Sequence, residues 1–149
     1  LVFNYKKRVV MSKEITVNGR KLLKTLQKEF SSKYTYLFLA FIEDKDRGSS
    51  VNVKSLDTSL TIKDVRKQFS NEEISLTGSK VVRNMEKYFW KELGIAVQIA
   101  VKDYKGHDFY FPIGDFFNKL SLTKANRWAE SAGCSEIDDV SELSGKTVF

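Results

Sequence analysis

Two stretches of the chain share one pattern of apolar and polar positions. The segment 15–19 (ITVNG) reappears as 74–78 (ISLTG), and the segment 21–26 (KLLKTL) reappears as 80–85 (KVVRNM), in both cases 59 residues later. The same offset matches Phe30 with Phe89, Phe38 with Val97, Ile42 with Val101 and Asp44 with Asp103. After one inserted residue, Leu60–Ile62 matches Leu120–Leu122. Because chance agreement over about 50 residues is improbable, the pattern predicts an internal duplication.

Each copy predicts a strand, a helix, a strand, a weaker strand and a short helix. Alternation at Ile15 and Val17, and again at Ile74 and Leu76, is typical of a half-buried strand. The segment 36–42 is apolar on both faces, so we expect a strand that is central in its sheet or covered on both sides. The remaining apolar positions predict one helix face at Leu22, Leu23, Leu26 and Phe30, a second at Val81, Val82, Met85 and Phe89, and one strand face at Ile95, Val97, Ile99 and Val101.

Turn and capping residues predict where the elements begin and end. Thr61 followed by Asp64 resembles a capping box, and Ser121 is the expected cap of the matching helix. Gly94 and Gly133 suit the ends of helices. The weaker strands are predicted at Val51 and Val53 and at Phe109, Phe111 and Ile113, and a last short helix is predicted from Ser135, with Ile137, Val140 and Leu143 on one side, to Gly145.

Two copies of a β-α-β-β-α unit predict an α+β fold with two layers and pseudo-twofold related halves. We divide the chain into an N-terminal arm (1–12), module one (13–73), module two (74–133) and an acidic C-terminal tail with a short helix (134–149). Each module is too small for a generous core of its own, so we expect the two to form one compact domain. The arm is either a native extension or an added segment.

The repeated residues also carry a resemblance. A pattern of glycine, lysine, leucine and phenylalanine, then a strand and a Leu-Thr pair before a short helix, is carried by Gly19, Lys21, Leu26, Phe30 and Leu60–Thr61, and again by Gly78, Lys80, Met85, Phe89 and Leu120–Ser121. Over residues 13–133 the chain thus resembles uncharacterised small bacterial proteins with the same doubled module. The resemblance implies the duplicated fold and no established activity, so it assigns no functional residue.

Composition excludes several classes of site. With one cysteine and one histidine in 149 residues, the chain cannot form an intramolecular disulfide framework or a multi-histidine metal centre. Its apolar runs are far shorter than the roughly 20 residues that span a bilayer, so we expect a cytoplasmic protein with no membrane partner. The net charge of +6 and the pI near 9.3 permit attraction to nucleic acid.

Candidates for catalysis are few. A nucleophilic pair could only be Cys134 with His107, and no third group is placed beside them by a motif. No Gly-x-Ser-x-Gly turn and no phosphate-binding glycine loop occurs in the sequence. The best carboxylate group is more typical of solvent-facing turns, and consists of Glu43, Asp44, Asp46 and Asp103. We therefore expect no catalytic residue, metal or cofactor, and keep an unrecognised enzyme as a third hypothesis.

Basic residues recur on the two predicted long helices. Spacings of three and four residues place them along one exposed side, where they could follow a phosphate backbone or simply solvate the helix: Lys21, Lys24 and Lys28 in module one, and Lys80, Arg83, Lys87 and Lys91 in module two. Surplus aromatic residues are the other candidates. They either fill the seam between the modules or bind a partner, and they are Tyr88, Trp90, Phe116, Phe117 and Trp128.

Scarce reactive groups and plentiful aromatics favour a non-catalytic binding module or adaptor. A protein partner or self-association is the expectation that we place first. A nucleic-acid-binding protein that uses the paired basic helix faces is the alternative.

Overall fold

A computed structural model of the chain describes residues 14–71, 73–112, 114–138, 140, 144, 145, 147 and 148. In chain order the elements are α1 (Leu23–Lys33), β1 (Phe38–Ile42), β2 (Val53–Lys54), α2 (Ile62–Val65), α3 (Val82–Tyr88), β3 (Ala96–Lys102), β4 (Phe109–Tyr110), α4 (Asp115–Asn118), α5 (Leu122–Ser131) and β5 (Thr147–Val148). A 3₁₀ turn at Asp44–Asp46 follows β1, and a π turn at Phe89–Leu93 continues α3. The described residues therefore form a mixed α+β fold.

The main sheet has three antiparallel strands in the order β1-β3-β4. Phe38 lies opposite Ala100, Leu39 opposite Ile99, and the pairing ends where Ile42 meets Ala96. β4 pairs only with the last two residues of β3. A separate ribbon joins β2 to β5.

Both faces of the sheet are buried. One face packs against the long helices in a core that draws on both predicted modules and includes Leu26, Phe30, Leu39, Phe41, Met85, Phe89, Val97, Ile99 and Leu122. The opposite face forms a smaller core of Phe38, Ala40, Ile42, Val53, Ala96, Ala100, Phe109, Phe111 and Val140. All five residues of β1 are buried, as expected for a strand covered on both sides, but β1 is an outer strand of the sheet and not a central one.

Main-chain hydrogen bonds at the start of each long helix are matched between the modules. The amide of Leu23 donates to Leu60 O at 2.9 Å, and that of Val82 donates to Leu120 O at 2.9 Å. Three further bonds from an amide to a carbonyl in the first segment have counterparts in the second. In the first they run from Ile62 to Lys21, from Lys63 to Gly19 and from Lys21 to Asn18. Their counterparts run from Leu122 to Lys80, from Thr123 to Gly78 and from Lys80 to Thr77. The predicted strands at 15–17 and 74–76 are shorter than expected, because they meet in one antiparallel bridge between Thr16 and Ser75.

The residue-by-residue match in the central strands is wrong by one position. Phe38 faces the smaller core and Val97 the larger core, so these two positions are not equivalent. Residues of the two strands face the same core when they are matched at an interval of 60, which pairs Leu39 with Ile99. The interval of 59 on the helices becomes 60 on the strands across the π turn, where Gly94 N donates to Phe89 O five residues earlier. Gly94 then ends the helix with φ 68°, as predicted.

Most of the predicted caps are confirmed. Thr61 and Asp64 form a full capping box, and the Ser121 hydroxyl accepts a bond from Lys124 N. Gly133 has φ 84°, in the left-handed region expected after a helix.

Several predicted boundaries are wrong. Leu22 precedes α1 and is 38% exposed, and Val51 lies outside β2 and is 63% exposed. Residues 116–117, where the sequence predicted no element, are part of α4. The predicted last helix is absent at the described residues 135–138, where Ser135 bridges to Lys102. Residues 1–12, Ile113 and Leu143 lie outside the described residues.

Candidate functional site

The basic stripe is only partly present. Lys21 precedes α1, and its Nζ donates to Glu29 and to the carbonyl of Thr16, both at 2.6 Å. Its ammonium is therefore engaged within the protein and is not displayed on a helix, which corrects the prediction for this residue. Lys80 likewise precedes α3 and is half-buried.

The other basic residues differ in exposure. On α1, Lys24 is half-buried and Lys28 is exposed. On α3 and its π turn, Arg83, Lys87 and Lys91 are exposed. Arg83 and Lys87 lie together on the wall of a cleft, while Lys91 is outside it.

This cleft, which we call the α3–β3 cleft, lies between one side of α3 and the first half of β3. Its volume is about 410 Å³, within the range of roughly 300–1,000 Å³ that is usual for ligand sites. The described residues that line it are Arg47, Gly48, Arg83, Glu86, Lys87, Trp90, Ala96, Val97 and Gln98. It thus joins two of the predicted basic residues to one of the predicted aromatic residues.

The other aromatic candidates lie elsewhere. Phe117 is buried, and its ring meets that of Trp128 in a T-shaped contact at 5.5 Å between centroids. Tyr88 and Trp128 pack against the larger core but are only partly buried, and Tyr88 also lines a separate cleft together with Phe69. Phe116 is 62% exposed, on the short helix α4.

Trp90 reaches the cleft from the π turn. It packs against the smaller core, and the guanidinium of Arg47 lies 4.3 Å from its ring centroid. The matched position 59 residues earlier is Ser31, which is buried and donates its hydroxyl to Leu37 O at 2.8 Å. Arg47 comes from the loop after β1, and the sequence offered no signal that this loop would meet α3.

Glu86 is the acidic group of the cleft. Its carboxylate accepts a hydrogen bond from Ile99 N at the outer edge of β3. Burial raises its pKa to about 7, although the bond from Ile99 and the charges of Arg47 and Arg83 act in the opposite direction. At the matched position, Gln27 instead donates Nε2 to Leu39 O at 2.9 Å.

The first half of β3 has an open outer edge. In an antiparallel ladder, main-chain groups point alternately toward the partner strand and away from it. The outward bonds of Leu39 and Ile99 to Gln27 and Glu86 set this alternation, so the N–H and C=O of Val97 also point outward. Among the described residues no strand pairs with β3 at Val97, because β4 reaches only Val101 and Lys102.

The cleft is cationic. Arg47, Arg83 and Lys87 stand against the single acid Glu86, whose raised pKa reduces its negative charge near neutral pH. Asp115 lies 3.9 Å from Arg83, but its side chain is 82% exposed, so solvent screens the pair. The buried Oε1 of Gln98 has no hydrogen-bond partner within the described part of the chain.

The candidates for catalysis occupy structural positions. Cys134 is buried with its Sγ 3.6 Å from the Tyr110 hydroxyl, and burial raises the pKa of Tyr110 to about 12. His107 is exposed, and its main-chain N–H donates to Asp103. The acidic residues after β1 hold main-chain groups or lysines: Glu43 with Lys54, Asp44 with Lys67, and Asp46 with Lys54 N.

Neither a metal cluster nor a membrane span is found in the part of the chain that the structure describes. No three His, Cys, Asp or Glu side chains there are grouped as metal ligands. Its helices are also too short or too polar to cross a bilayer.

Comparison with protein-family models, with curated proteins and with solved structures finds no match to this chain.

Proposed function

We propose that the chain is a non-catalytic binding module that takes a protein partner in the α3–β3 cleft. The observation that carries this proposal is the position of Trp90 in a cationic cleft beside main-chain groups that no described residue pairs. Tryptophan and arginine are enriched among the residues that dominate binding energy at protein interfaces. A sheet edge with outward N–H and C=O groups adds main-chain recognition.

We further propose that residues 13–73 and 74–133 are copies of one module, related by a pseudo-twofold axis, and that binding is specialised to the second copy. The matched hydrogen bonds around Leu23 and Val82 support this relation. So does the pairing of Leu39 with Ile99, because each residue then lies opposite its own counterpart.

A nucleic-acid ligand is the second candidate function. The observation in its favour is that Lys28, Arg83, Lys87 and Lys91 are all exposed on the helices. The engagement of Lys21 with Glu29 weighs against a stripe shared by both modules.

Peptide display tests the proposed function. A library of random 12-residue peptides is selected on the immobilised chain, and recovered peptides are then measured against wild type, Trp90→Ala and the matched control Phe69→Ala. Phe69 is another exposed aromatic residue, outside the cleft. We expect peptides that bind wild type and the control but lose at least about tenfold in affinity with Trp90→Ala, as for a residue at the centre of an interface.

Circular dichroism of each variant shows whether the fold is kept. If selection recovers only peptides that bind Trp90→Ala as well as wild type, the cleft is not the binding site. Binding of a 20-nucleotide single strand that weakens steeply with salt would support the second candidate instead.

A further inference from the structure

We propose that the occupant of the α3–β3 cleft is an acidic peptide segment in extended conformation, which adds as a strand to the outer edge of β3 at Val97. This inference rests on the proposed function and names the class and binding mode of the partner. It draws on the open edge, the charge of the cleft and the residues that bound it.

The length of the open edge follows from the bonds on either side of it. Ile95 N donates to Phe89 O at 3.0 Å, and Ile99 N donates to the Glu86 carboxylate. The N–H and C=O of Val97 between them can exchange two hydrogen bonds with one residue of an added strand. Main-chain pairing is therefore short, and side chains of the partner must supply the rest of the affinity.

The cleft charge selects an acidic partner. Arg47, Arg83 and Lys87 line the cleft beside the edge, and arginine binds carboxylates through paired N–H donors. A second copy of this chain would bring the same three cations against each other, which disfavours a dimer through this edge. An extended segment presents alternate side chains to one side, so acids at every second position can all meet the basic wall.

The polar and aromatic groups of the cleft suit such a segment. Gln98 lines the cleft beside Val97, and its side-chain amide carries both hydrogen-bond donors and an acceptor. Trp90 and Ala96 supply apolar surface beside the edge. Strand-addition sites combine main-chain bonds with pockets for alternate side chains in this way.

The test uses defined peptides on the full chain. The probe is a fluorescein-labelled heptapeptide, Thr-Glu-Val-Glu-Val-Glu-Thr, measured by fluorescence anisotropy at low and moderate salt. One control peptide replaces each glutamate by lysine, and a second keeps the glutamates but carries N-methyl groups on alternate residues. N-methylation removes the donors that a strand needs while leaving the charge in place.

We expect the glutamate peptide to bind and both control peptides to bind at least about tenfold more weakly. The double variant Arg83→Gln/Lys87→Gln should weaken binding by about tenfold or more, whereas the matched module-one variant Lys24→Gln/Lys28→Gln should leave it unchanged. Each variant is first checked by its thermal unfolding.

The other outcomes are distinguishable. Equal binding of the N-methylated peptide overturns strand addition and leaves a cleft that binds acidic chains. If display-selected peptides depend on Trp90 while the glutamate peptide does not bind, the acidic class is overturned and the proposed function stands. If a 20-nucleotide single strand, but not the peptide, responds to Arg83→Gln/Lys87→Gln, the partner is nucleic acid. Light scattering that shows a dimer broken by that variant would identify a second copy as the occupant.

Discussion

The outer edges of β1 and β3 differ in the hydrogen bonds that their main-chain groups make at matched positions. At Leu37, just before β1, the N–H donates to Tyr34 O at 2.9 Å and the carbonyl accepts from Ser31 Oγ at 2.8 Å. Val97 is the matched position at the interval of 60, and none of the described residues fills either role there. Gly94, which matches Tyr34, has its carbonyl bonded to Lys67 Nζ at 2.6 Å instead.

The difference arises from a few changes of residue. Ser31 is matched by Trp90, so a hydroxyl that bonds the strand is replaced by an indole that lies beside it. Gln27, which donates to Leu39, is matched by Glu86, which accepts from Ile99. Together with the π turn, these differences leave the β1 edge hydrogen-bonded at Leu37 and the β3 edge without a partner at Val97 among the described residues. Under the duplication that we propose, the second copy alone would then carry the proposed site.

Emptying matched core positions has the largest expected effect. Leu26 and Met85 are both fully buried in the larger core. Leu26→Ala and Met85→Ala should each lower the free energy of unfolding by about 2–5 kcal/mol, the usual cost of a core cavity. Urea denaturation measures both, and a cost near zero for either variant would show that the two halves do not contribute comparable cores.

The second largest loss of stability is expected when Gln27 is replaced by glutamate, the residue found at the matched position 86. Gln27→Glu should destabilise the fold by about 2–4 kcal/mol at pH 8, since a buried carboxylate would then face the Leu39 carbonyl without a donor. Protonation restores a donor, so the loss should shrink at pH 5. Equal stability of variant and wild type at pH 8 would mean that the two edges are interchangeable.

The opposite exchange, Glu86→Gln, isolates a pH effect. Because the pKa of Glu86 is raised from 4.5 to about 7 on folding, the folded state binds more protons between these values. The contribution of Glu86 to wild-type stability should therefore be greatest below this window and should fall, by at most about 3 kcal/mol, as pH rises through it.

Glu86→Gln should remove that decline. Denaturation midpoints at pH 5 and pH 8 measure it, and the variant should match wild type at the lower pH and exceed it at the higher. An unchanged difference between the two proteins across this range would contradict a raised pKa.

Opening the sealed edge has the smallest expected effect. Ser31→Ala removes the hydroxyl that donates to Leu37 O, and a buried carbonyl left without its donor costs about 1–2 kcal/mol. The matched Trp90→Ser change tests whether a hydroxyl can seal the other edge, and it should weaken peptide binding. Thermal unfolding measures the stability of Ser31→Ala, and fluorescence anisotropy measures peptide binding by Trp90→Ser. Undiminished binding by Trp90→Ser would show that the indole does not contribute to the site.

Periodicity in the sequence was sufficient to predict the α+β class, the order of the main elements and most caps. Short-range signals sufficed there, as at Thr61 and Asp64, where spacing alone defines the capping box. The one-residue shift in β3 escaped prediction because a π turn widens a helix without changing its apolar stripe at Met85 and Phe89. The predicted strands at 15–17 and 74–76 kept their buried faces but lost their length.

The candidate site was predicted only in part. Arg83, Lys87 and Trp90 were identified, but as members of two separate sets, because sequence spacing does not show which side of a helix meets a sheet edge. Glu86 was not among the candidate residues, although its match to Gln27 was a usable signal. Arg47 depends on the path of a loop, which depends on tertiary contacts and has no local signature.

Residue-resolved hydrogen exchange of the free chain tests the central claim most directly. Leu37 and Val97 are both buried residues, with 0% and 5% of their surface exposed, so burial does not distinguish their amides. We expect the Val97 amide to exchange at least about tenfold faster than the Leu37 amide, because only the Leu37 amide has a hydrogen-bond acceptor among the described residues. Equal protection of the two amides would show that the edge of β3 is closed and would contradict the account.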